Sequence, residues 1–119
     1  MELKVAAEPV APLTCDQAID KYFPTGVKQQ AINIRQAENG LGTADRISGI
    51  NRHADGTTSR DYGCMQINDY WHFGTKGWTN FNDIYNAEFN VQYALKIYQG
   101  WGNTWCAWTT ANKLGYCKK

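Results

Sequence analysis

The sequence has no long apolar run, since none of its stretches approaches the roughly 20 residues that a membrane-spanning helix needs. It also has no internal repeat and no low-complexity segment. With 119 residues, of which 43% are hydrophobic and 19% charged, the composition is that of one globular domain and not of a disordered chain. We therefore expect a soluble, monomeric, single-domain protein without membrane insertion.

An excess of one sign of charge is missing as well. Twelve Lys and Arg residues face eleven Asp and Glu residues, which gives a formal net charge of +1. Binding through nucleic-acid phosphates normally shows as a basic domain or stripe, so no nucleic-acid partner is expected. The five Trp and seven Tyr offer another means of holding a polymer, because their rings can stack on sugar faces, although aromatic residues also simply fill cores.

The four cysteines include no CxxC pair, and only two histidines could join them, so no metal site and no cofactor are predicted. An even count suits two disulfides in an oxidising compartment, which favours a secreted protein. Spacing leaves all three connectivities open. The cysteines are Cys15, Cys64, Cys106 and Cys117.

The first residues differ in character from the rest of the chain. Met1 to Pro12 contains no apolar run long enough for a signal peptide and includes several Pro and Ala residues. We interpret residues 1–13 as a flexible N-terminal tail and residues 14–119 as the folded domain.

Helical periodicity marks the first part of this domain. Thr14 and Gln17 form a capping-box pattern that begins a short helix, and Pro24 should end it. A second apolar stripe starts at Val27 and runs out at the Asn-Gly pair at 39–40, which is a common helix end. Two helices are therefore predicted before residue 40.

The remainder mixes one helix with a small β element. Residues 47–68 contain a turn signal at 54–57 between β-tolerant residues, which predicts a hairpin. A third helix should begin after Asn86 and end at Gly100. The expected class is α+β, mainly helical. Loop is expected at 68–83 and a short helix within 101–108.

Glu38 continues the apolar spacing of the second helix and lies in its last turn. Burial against the core and the negative end of the helix dipole both disfavour the charged form, so the pKa of Glu38 is expected to be raised. A carboxylic acid that keeps its proton near neutral pH is what a general acid needs. The spacing also fits a surface glutamate on a frayed helix end.

Asp61 follows the predicted turn, in a polar hairpin rich in Ser and Thr that suits an ionised carboxylate. Two carboxyl groups in unlike environments can divide the roles of acid and of nucleophile or ion stabiliser. Asp55 is the alternative for the second role, although an Asp directly before a Gly is commonly a turn residue. His53 and His72 are interpreted as surface or structural residues, because no Ser or Cys nucleophile accompanies them in a recognisable setting.

Two segments together resemble the lysozyme superfamily: Ala-Glu-Asn-Gly at 37–40 and Asp-Gly-Thr-Thr-Ser-Arg-Asp-Tyr-Gly-Cys-Met-Gln-Ile-Asn at 55–68. The second is most similar to the hairpin of animal-type (c-type) lysozymes. Residues 103–108 resemble the stretch of that family whose first Trp lines the pocket of the catalytic Glu. The likeness spans roughly residues 14–117 and implies a lysozyme-like α+β fold, with a cleft between a mainly helical lobe and a small antiparallel β hairpin or sheet.

The resemblance also implies an activity. It suggests a secreted, antimicrobial muramidase that degrades cell walls by cleaving peptidoglycan between N-acetylmuramic acid and N-acetylglucosamine, or that acts on a related chitooligosaccharide. Glu38 would be the acid, and Asp61 would stabilise or capture the oxocarbenium-like sugar. The residues implied in substrate binding are Gln66, Asn68, Tyr70, Trp71, Trp105 and Ala107.

Some features depart from the family. Animal-type lysozymes usually have four disulfides, whereas this chain can form two. Cys15 and Cys117 fall where the family's first and last cysteines pair, so the resemblance implies a Cys15–Cys117 disulfide. Cys64 and Cys106 fall where the family has apolar residues, so their pairing with each other stays open. The turn before Asp61 looks longer than the family's, so the separation of the two carboxyl groups, which decides between a retaining and an inverting outcome, stays open.

Two other functions remain open. Gly-Cys-Met-Gln at 63–66 resembles the Gly-Leu-Met-Gln stretch of lytic transglycosylases, which use one catalytic Glu and form an anhydro sugar. The lactalbumin branch instead suggests a non-catalytic sugar-binding homologue. The presence of both Glu38 and Asp61 argues against that alternative. Residues 80–88 also hold only two acids, too few for the dense calcium loop of that branch.

Overall fold

A computed structural model describes residues 11–75 and 77–117, so that residues 1–10 of the predicted tail lie outside it. The helices, in chain order, are α1 Cys15–Tyr22, α2 Lys28–Glu38, α3 Asp69–His72, α4 Ala87–Gly100 and α5 Thr110–Leu114. The strands are β1 Asn51–Arg52, β2 Thr58–Ser59, β3 Asp61–Tyr62 and β4 Ile67–Asn68. The described part of the chain is therefore α+β and mainly helical, and none of its helices is long and apolar enough to cross a bilayer.

The first two helices form where the sequence predicts them. The Thr14 hydroxyl accepts from the Gln17 N–H at 3.1 Å, and the Gln17 side chain accepts from the Thr14 N–H at 3.0 Å, which completes the capping box. α1 ends at Tyr22, ahead of Pro24. α2 starts after a short 3-10 turn and ends at Glu38. These predictions are confirmed.

The C-terminal end of α2 is fastened to its surroundings by two buried polar side chains. Arg35 donates to the Asn39 carbonyl at 2.7 Å and pairs with Asp16 of α1 at 2.8 Å. A cation at this end also offsets the partial negative charge of the helix terminus. The Asn39 amide, fully buried, donates to the carbonyl of Gly63 at 3.3 Å, in the β region. The helix end that carries Glu38 is thus tied to both sides of the molecule.

The β region contains two small antiparallel sheets, whereas the sequence predicts one hairpin. β1 pairs with β2 across the predicted turn, and β3 pairs with β4 so that Asp61 lies opposite Asn68. The connection from β3 to β4 is tight because Gly63 and Gln66 both adopt positive φ, at 78° and 54°. This second reversal of the chain is the feature that the turn signals did not reveal.

Elsewhere the sequence misplaces short elements. Residues 68–83, predicted as loop, contain α3 and the start of a 3-10 turn at Phe81–Tyr85. The segment 101–108 forms turns, and the short helix lies after it, at α5. Asn103 has a φ of 59°, a left-handed conformation that interrupts helical continuation.

α4 is the helix around which the other parts pack. It begins at Ala87, after the cap Asn86, whose side chain accepts from the Phe89 N–H, and it ends at Gly100, as predicted. Its fully buried Asn90 donates to the Tyr62 carbonyl at 2.9 Å and accepts from the Met65 N–H at 2.8 Å. Since unpaired buried backbone groups are costly, this amide fixes the β3–β4 connection on the helical core.

The two disulfides join Cys15 to Cys64 and Cys106 to Cys117. The Cys15–Cys117 pairing implied by the resemblance is therefore wrong, and Cys64 does not pair with Cys106. The first turn of α1 packs on the β3–β4 connection, which brings the Cα atoms of Cys15 and Cys64 to 5.4 Å. Because the chain reverses after α5, Cys117 returns to 5.0 Å from Cys106. Both separations lie in the range that a disulfide requires.

Candidate functional site

A cleft of about 250 Å³ is lined by two parts of the chain. We call the first part the helical wall; its residues are Glu38, Ile97, Ala107, Trp108 and Thr109. We call the second part the β wall, which comes from β1 to β4 and α3; its residues are Asn51, His53, Ser59, Asp61, Gln66, Ile67, Asn68, Trp71 and His72. The cleft therefore brings together Glu38 and Asp61, which are 23 positions apart in the sequence.

Glu38 is the acidic residue of the helical wall and is partly buried. Its Oε1 accepts a hydrogen bond from the Thr110 hydroxyl at 2.9 Å. Burial is the largest cause of its shifted pKa and raises it; the hydrogen bond from Thr110 and the charge of Arg46 lower it, while the charge of Asp61 raises it. The net shift is upward. Glu38 therefore holds its proton to a higher pH than an ordinary glutamate does.

Asp61 is the acidic residue of the β wall, and two amides hold its carboxylate. Oδ1 accepts from Asn68 at 2.8 Å and Oδ2 accepts from Asn51 at 3.2 Å. The backbone N–H of Asp61 donates to the Ser48 hydroxyl at 2.8 Å. Both oxygens of Asp61 are thus oriented by neutral amide donors, whereas one oxygen of Glu38 accepts from a hydroxyl.

Four of the residues implied in substrate binding line the cleft: Gln66, Asn68, Trp71 and Ala107. The Trp71 side chain stands out, since it is 70% exposed. The Gln66 amide is 6% exposed and donates to the carbonyls of Arg46 and Gly63 at 3.2 and 3.0 Å, so its N–H groups hold the turn in place. Asn68 orients Asp61 and also caps α3.

Tyr70 does not line the cleft, although it lies beside it. Its ring stacks on His53 with centroids 4.4 Å apart and meets Trp71 edge to face at 4.8 Å. Tyr70 therefore contacts two residues of the β wall from outside the cleft lining, and its role in substrate binding stays a prediction.

The tryptophan of the helical wall is Trp108 and not Trp105. Trp105 is 1% exposed, packs against Phe23 at 5.6 Å and donates to Gln30 at 2.9 Å. It is a core residue that does not line the cleft itself, and its ring lies 5.2 Å from that of Trp108. Trp108 lines the cleft and donates from its indole nitrogen to the Met65 carbonyl at 2.8 Å. Because residues 101–109 form turns, a helical period could not predict which Trp points into the core and which lines the cleft.

The remaining sequence candidates occupy different settings. His53 and His72, interpreted as surface or structural residues, both line the cleft, and burial lowers the pKa of His72. His53 lies 2.9 Å from the Ser59 hydroxyl. Asp55 is outside the cleft lining, and hydrogen bonds from the Thr57 hydroxyl and N–H lower its pKa. This is the chemistry of a turn residue.

Sequence reasoning missed Thr110, Asn51 and Ser59. Thr110 reaches Glu38 across 72 positions, so no local pattern signals the contact. The pairing of β1 with β2 places Asn51 opposite Ser59. A predicted register for the hairpin could have found these two residues.

Within residues 11–75 and 77–117, no group of three or more His, Cys, Asp or Glu side chains is arranged to hold a metal ion. A scan of protein-family models, a search of curated proteins and a search of solved structures each returned no match. Function is therefore inferred from the residues of the cleft.

Proposed function

We propose that this protein is a glycoside hydrolase of the lysozyme type, which cleaves peptidoglycan between N-acetylmuramic acid and N-acetylglucosamine. One observation carries the proposal: two carboxyl groups, Glu38 and Asp61, line the same cleft in unlike settings. The former is partly buried with a raised pKa, and the latter is held by amide donors. Glycosidases use such a pair to protonate the leaving group and to stabilise the sugar cation.

Glu38 acts first in this scheme. It gives its proton to the glycosidic oxygen as the bond to the anomeric carbon breaks, and its raised pKa keeps that proton available to a higher pH than in an ordinary glutamate. Asp61 then stabilises or captures the positive charge that develops on the sugar ring. The division of roles is the known scheme of lysozymes, carried over through the resemblance at residues 37–40 and 55–68.

The rest of the cleft suits a carbohydrate. The exposed ring of Trp71 offers a face on which a sugar can stack. Amide and hydroxyl groups of the β wall provide neutral donors and acceptors next to Asp61, and Ala107 and Trp108 close the cleft on the other side. A few placed polar groups beside apolar surface are typical of small-molecule and oligosaccharide sites.

The compartment is part of the same proposal. Two disulfides persist where the environment is oxidising, which fits a secreted enzyme acting on cell walls. The lysozyme-like form of the α+β fold is likewise proposed from the resemblance, on the basis of a cleft with a helical wall and a β wall.

Substitution of each carboxyl group tests the proposal. We expect Glu38→Gln to reduce the clearing of purified cell walls by about 10²- to 10⁴-fold, the usual contribution of a general acid. Asp61→Asn should cost roughly 10²-fold or more, as for other groups that stabilise developing charge. The matched controls are Glu88→Gln and Asp20→Asn, two acids paired with lysines and outside the cleft lining.

The products identify the reaction. Mass spectrometry of the released glycans should show the mass of water added, because hydrolysis transfers a hydroxyl to the anomeric carbon. Anhydromuramoyl products with an active Asp61→Asn variant would support a lytic transglycosylase instead. Full activity in a folded Glu38→Gln variant contradicts the proposal, and binding of chitooligosaccharide without turnover would favour a non-catalytic sugar-binding protein.

A further inference from the structure

Thr110, the first residue of α5, contacts the carboxyl group of Glu38. Its hydroxyl donates to Oε1 of Glu38 at 2.9 Å. Among the residues that the structure describes, Thr110 is the one side chain hydrogen-bonded to Glu38. A residue from the far end of the chain therefore meets the acid at the end of α2.

Several contacts keep Thr110 in place. The Cys106–Cys117 disulfide closes the segment that contains α5. The Tyr116 hydroxyl accepts from Asn33 of α2 at 2.7 Å, so the end of this segment is bound to the helix that carries Glu38. Ala111, next to Thr110, is fully buried. The hydroxyl is thus presented to Glu38 by a braced segment and not by a free loop.

The hydrogen bond distinguishes the two oxygens of the acid. A hydroxyl that donates to Oε1 occupies a lone pair there, and the proton of the neutral acid then resides on Oε2. When the acid ionises, the same hydrogen bond strengthens because its acceptor is charged. One contact therefore both orients the carboxyl and opposes the effect of burial.

We propose that Thr110 is a positioning residue for Glu38. The Thr110 hydroxyl holds Oε1 of Glu38, so that the acid proton sits on Oε2 and can be given to the sugar oxygen. The inference rests on the proposed function, because it assigns Thr110 a part in the action of the general acid. It adds a residue from α5, which none of the sequence motifs included.

Other charged groups also act on Glu38 and must stay in place in any test. They are Asp61 of β3 and Arg46, which precedes β1, while His53 and His72 line the same cleft. Thr110→Val removes the hydroxyl with little change in shape and leaves all four groups untouched. Any change in the titration of Glu38 then comes from the lost hydrogen bond.

The test combines two measurements on the intact chain. NMR of isotope-labelled glutamate carboxyl groups gives the pKa of Glu38, and the rate of oligosaccharide cleavage is followed against pH. In Thr110→Val we expect a higher pKa for Glu38, a high-pH limb of the rate profile moved to higher pH, and kcat lowered roughly tenfold with KM nearly unchanged. Thr110→Ser should restore wild-type behaviour, since it keeps the hydroxyl.

Thr104→Val is the matched control, because the Thr104 hydroxyl donates to the Trp101 carbonyl at 2.9 Å, outside the cleft lining. It should leave the titration and the rate unchanged. Should Thr110→Val not fold, Thr110→Ala carries the same expectations. An unchanged pKa and pH profile in the hydroxyl-free variant, or a Thr110→Ser that behaves like it, would overturn the inference. Activity in Glu38→Gln would instead refute the proposed function, while the NMR titration would still report whether Thr110 contacts Glu38.

Discussion

The two walls of the cleft carry the same functional group on very different supports. The helical wall presents Glu38 from the end of an eleven-residue helix, partly buried and bonded to Thr110. The β wall presents Asp61 from a strand of two residues, held by the amides of Asn51 and Asn68. Burial sets the properties of the first carboxyl, and oriented neutral donors set the geometry of the second.

The comparison shows how a small protein can hold two carboxyl groups in one cleft by different contacts. Desolvation disfavours the charged form, and it raises the pKa of the partly buried Glu38. At Asp61, which is also partly buried, hydrogen bonds from Asn51 and Asn68 orient the carboxylate. A disulfide stabilises each region: Cys15–Cys64 joins α1 to the β3–β4 connection, and Cys106–Cys117 closes the segment with Trp108 and Thr110.

Removing the disulfides one at a time should have the largest effect on stability. Replacing Cys15 and Cys64 by Ala opens a loop of 49 positions, for which chain entropy predicts a loss of about 4 kcal/mol in the free energy of unfolding. Replacing Cys106 and Cys117 opens a loop of 11 positions, with a loss of about 3 kcal/mol. Urea denaturation of both double variants measures the difference.

Removal of the Cys106–Cys117 disulfide should cost less stability, but it should have the larger effect on Glu38. Since Cys106–Cys117 closes the segment that holds Thr110, its removal should change the titration of Glu38 more than removal of Cys15–Cys64 does. Equal titration curves of Glu38 in the two double variants would contradict a specific effect of the Cys106–Cys117 disulfide on Glu38.

Replacement of Trp71 on the β wall should have a moderate effect on the affinity for sugar. Trp71→Ala removes the exposed ring of the cleft and should weaken the binding of chitotriose by about three- to tenfold, the range expected for one stacking contact. Trp101→Ala is the matched control, because Trp101 is 55% exposed and does not line the cleft. Calorimetric titration of both variants checks the prediction; equal losses of affinity would place the sugar elsewhere.

The pH dependence of stability should show the smallest effect, with opposite signs for two glutamates. The pKa of Glu38 is raised above its ordinary value of 4.5, so its contribution to stability is fully present below pH 4.5 and is lost as the pH rises through the folded-state pKa. Glu38→Gln should therefore raise the melting temperature at neutral pH, relative to wild type, and lose this advantage below pH 4.5.

Glu88 provides the opposite case on the surface. The hydrogen bonds from Lys21 and Tyr22 lower its pKa, so its contribution is present above its ordinary value of 4.5 and is lost as the pH falls through the lowered pKa. Glu88→Gln should slightly lower the melting temperature at neutral pH. Melting curves across the acidic range that shift in the same direction for both variants would contradict this assignment.

The sequence predicts the parts of this fold that local interactions decide. The capping box at Thr14, the apolar stripe that ends at Asn39 and the cap at Asn86 are each contained in a few neighbouring residues, and α1, α2 and α4 form as expected. The place of Glu38 in an apolar stripe predicts burial, and burial is the main cause of its raised pKa. Local periodicity thus places Glu38 at the end of α2.

Long-range packing decides what the sequence could not predict. The partner of Cys15 depends on which surface α1 meets, and that surface is the β3–β4 connection. Trp105 and Trp108 differ by three positions, yet one enters the core and the other lines the cleft because the chain turns between them. The contact of Thr110 with Glu38 depends on the docking of α5.

Position 63 in the β3–β4 connection accepts only glycine. Its φ of 78° is unfavourable for other residues, and an added Cβ would collide with the Asn90 amide and the Ile84 carbonyl. Any larger side chain would therefore push the strand of Asp61 away from α4. Libraries that vary this region should leave position 63 as glycine and place their diversity on β1 and β2, whose Arg52 and Thr58 are solvent-exposed.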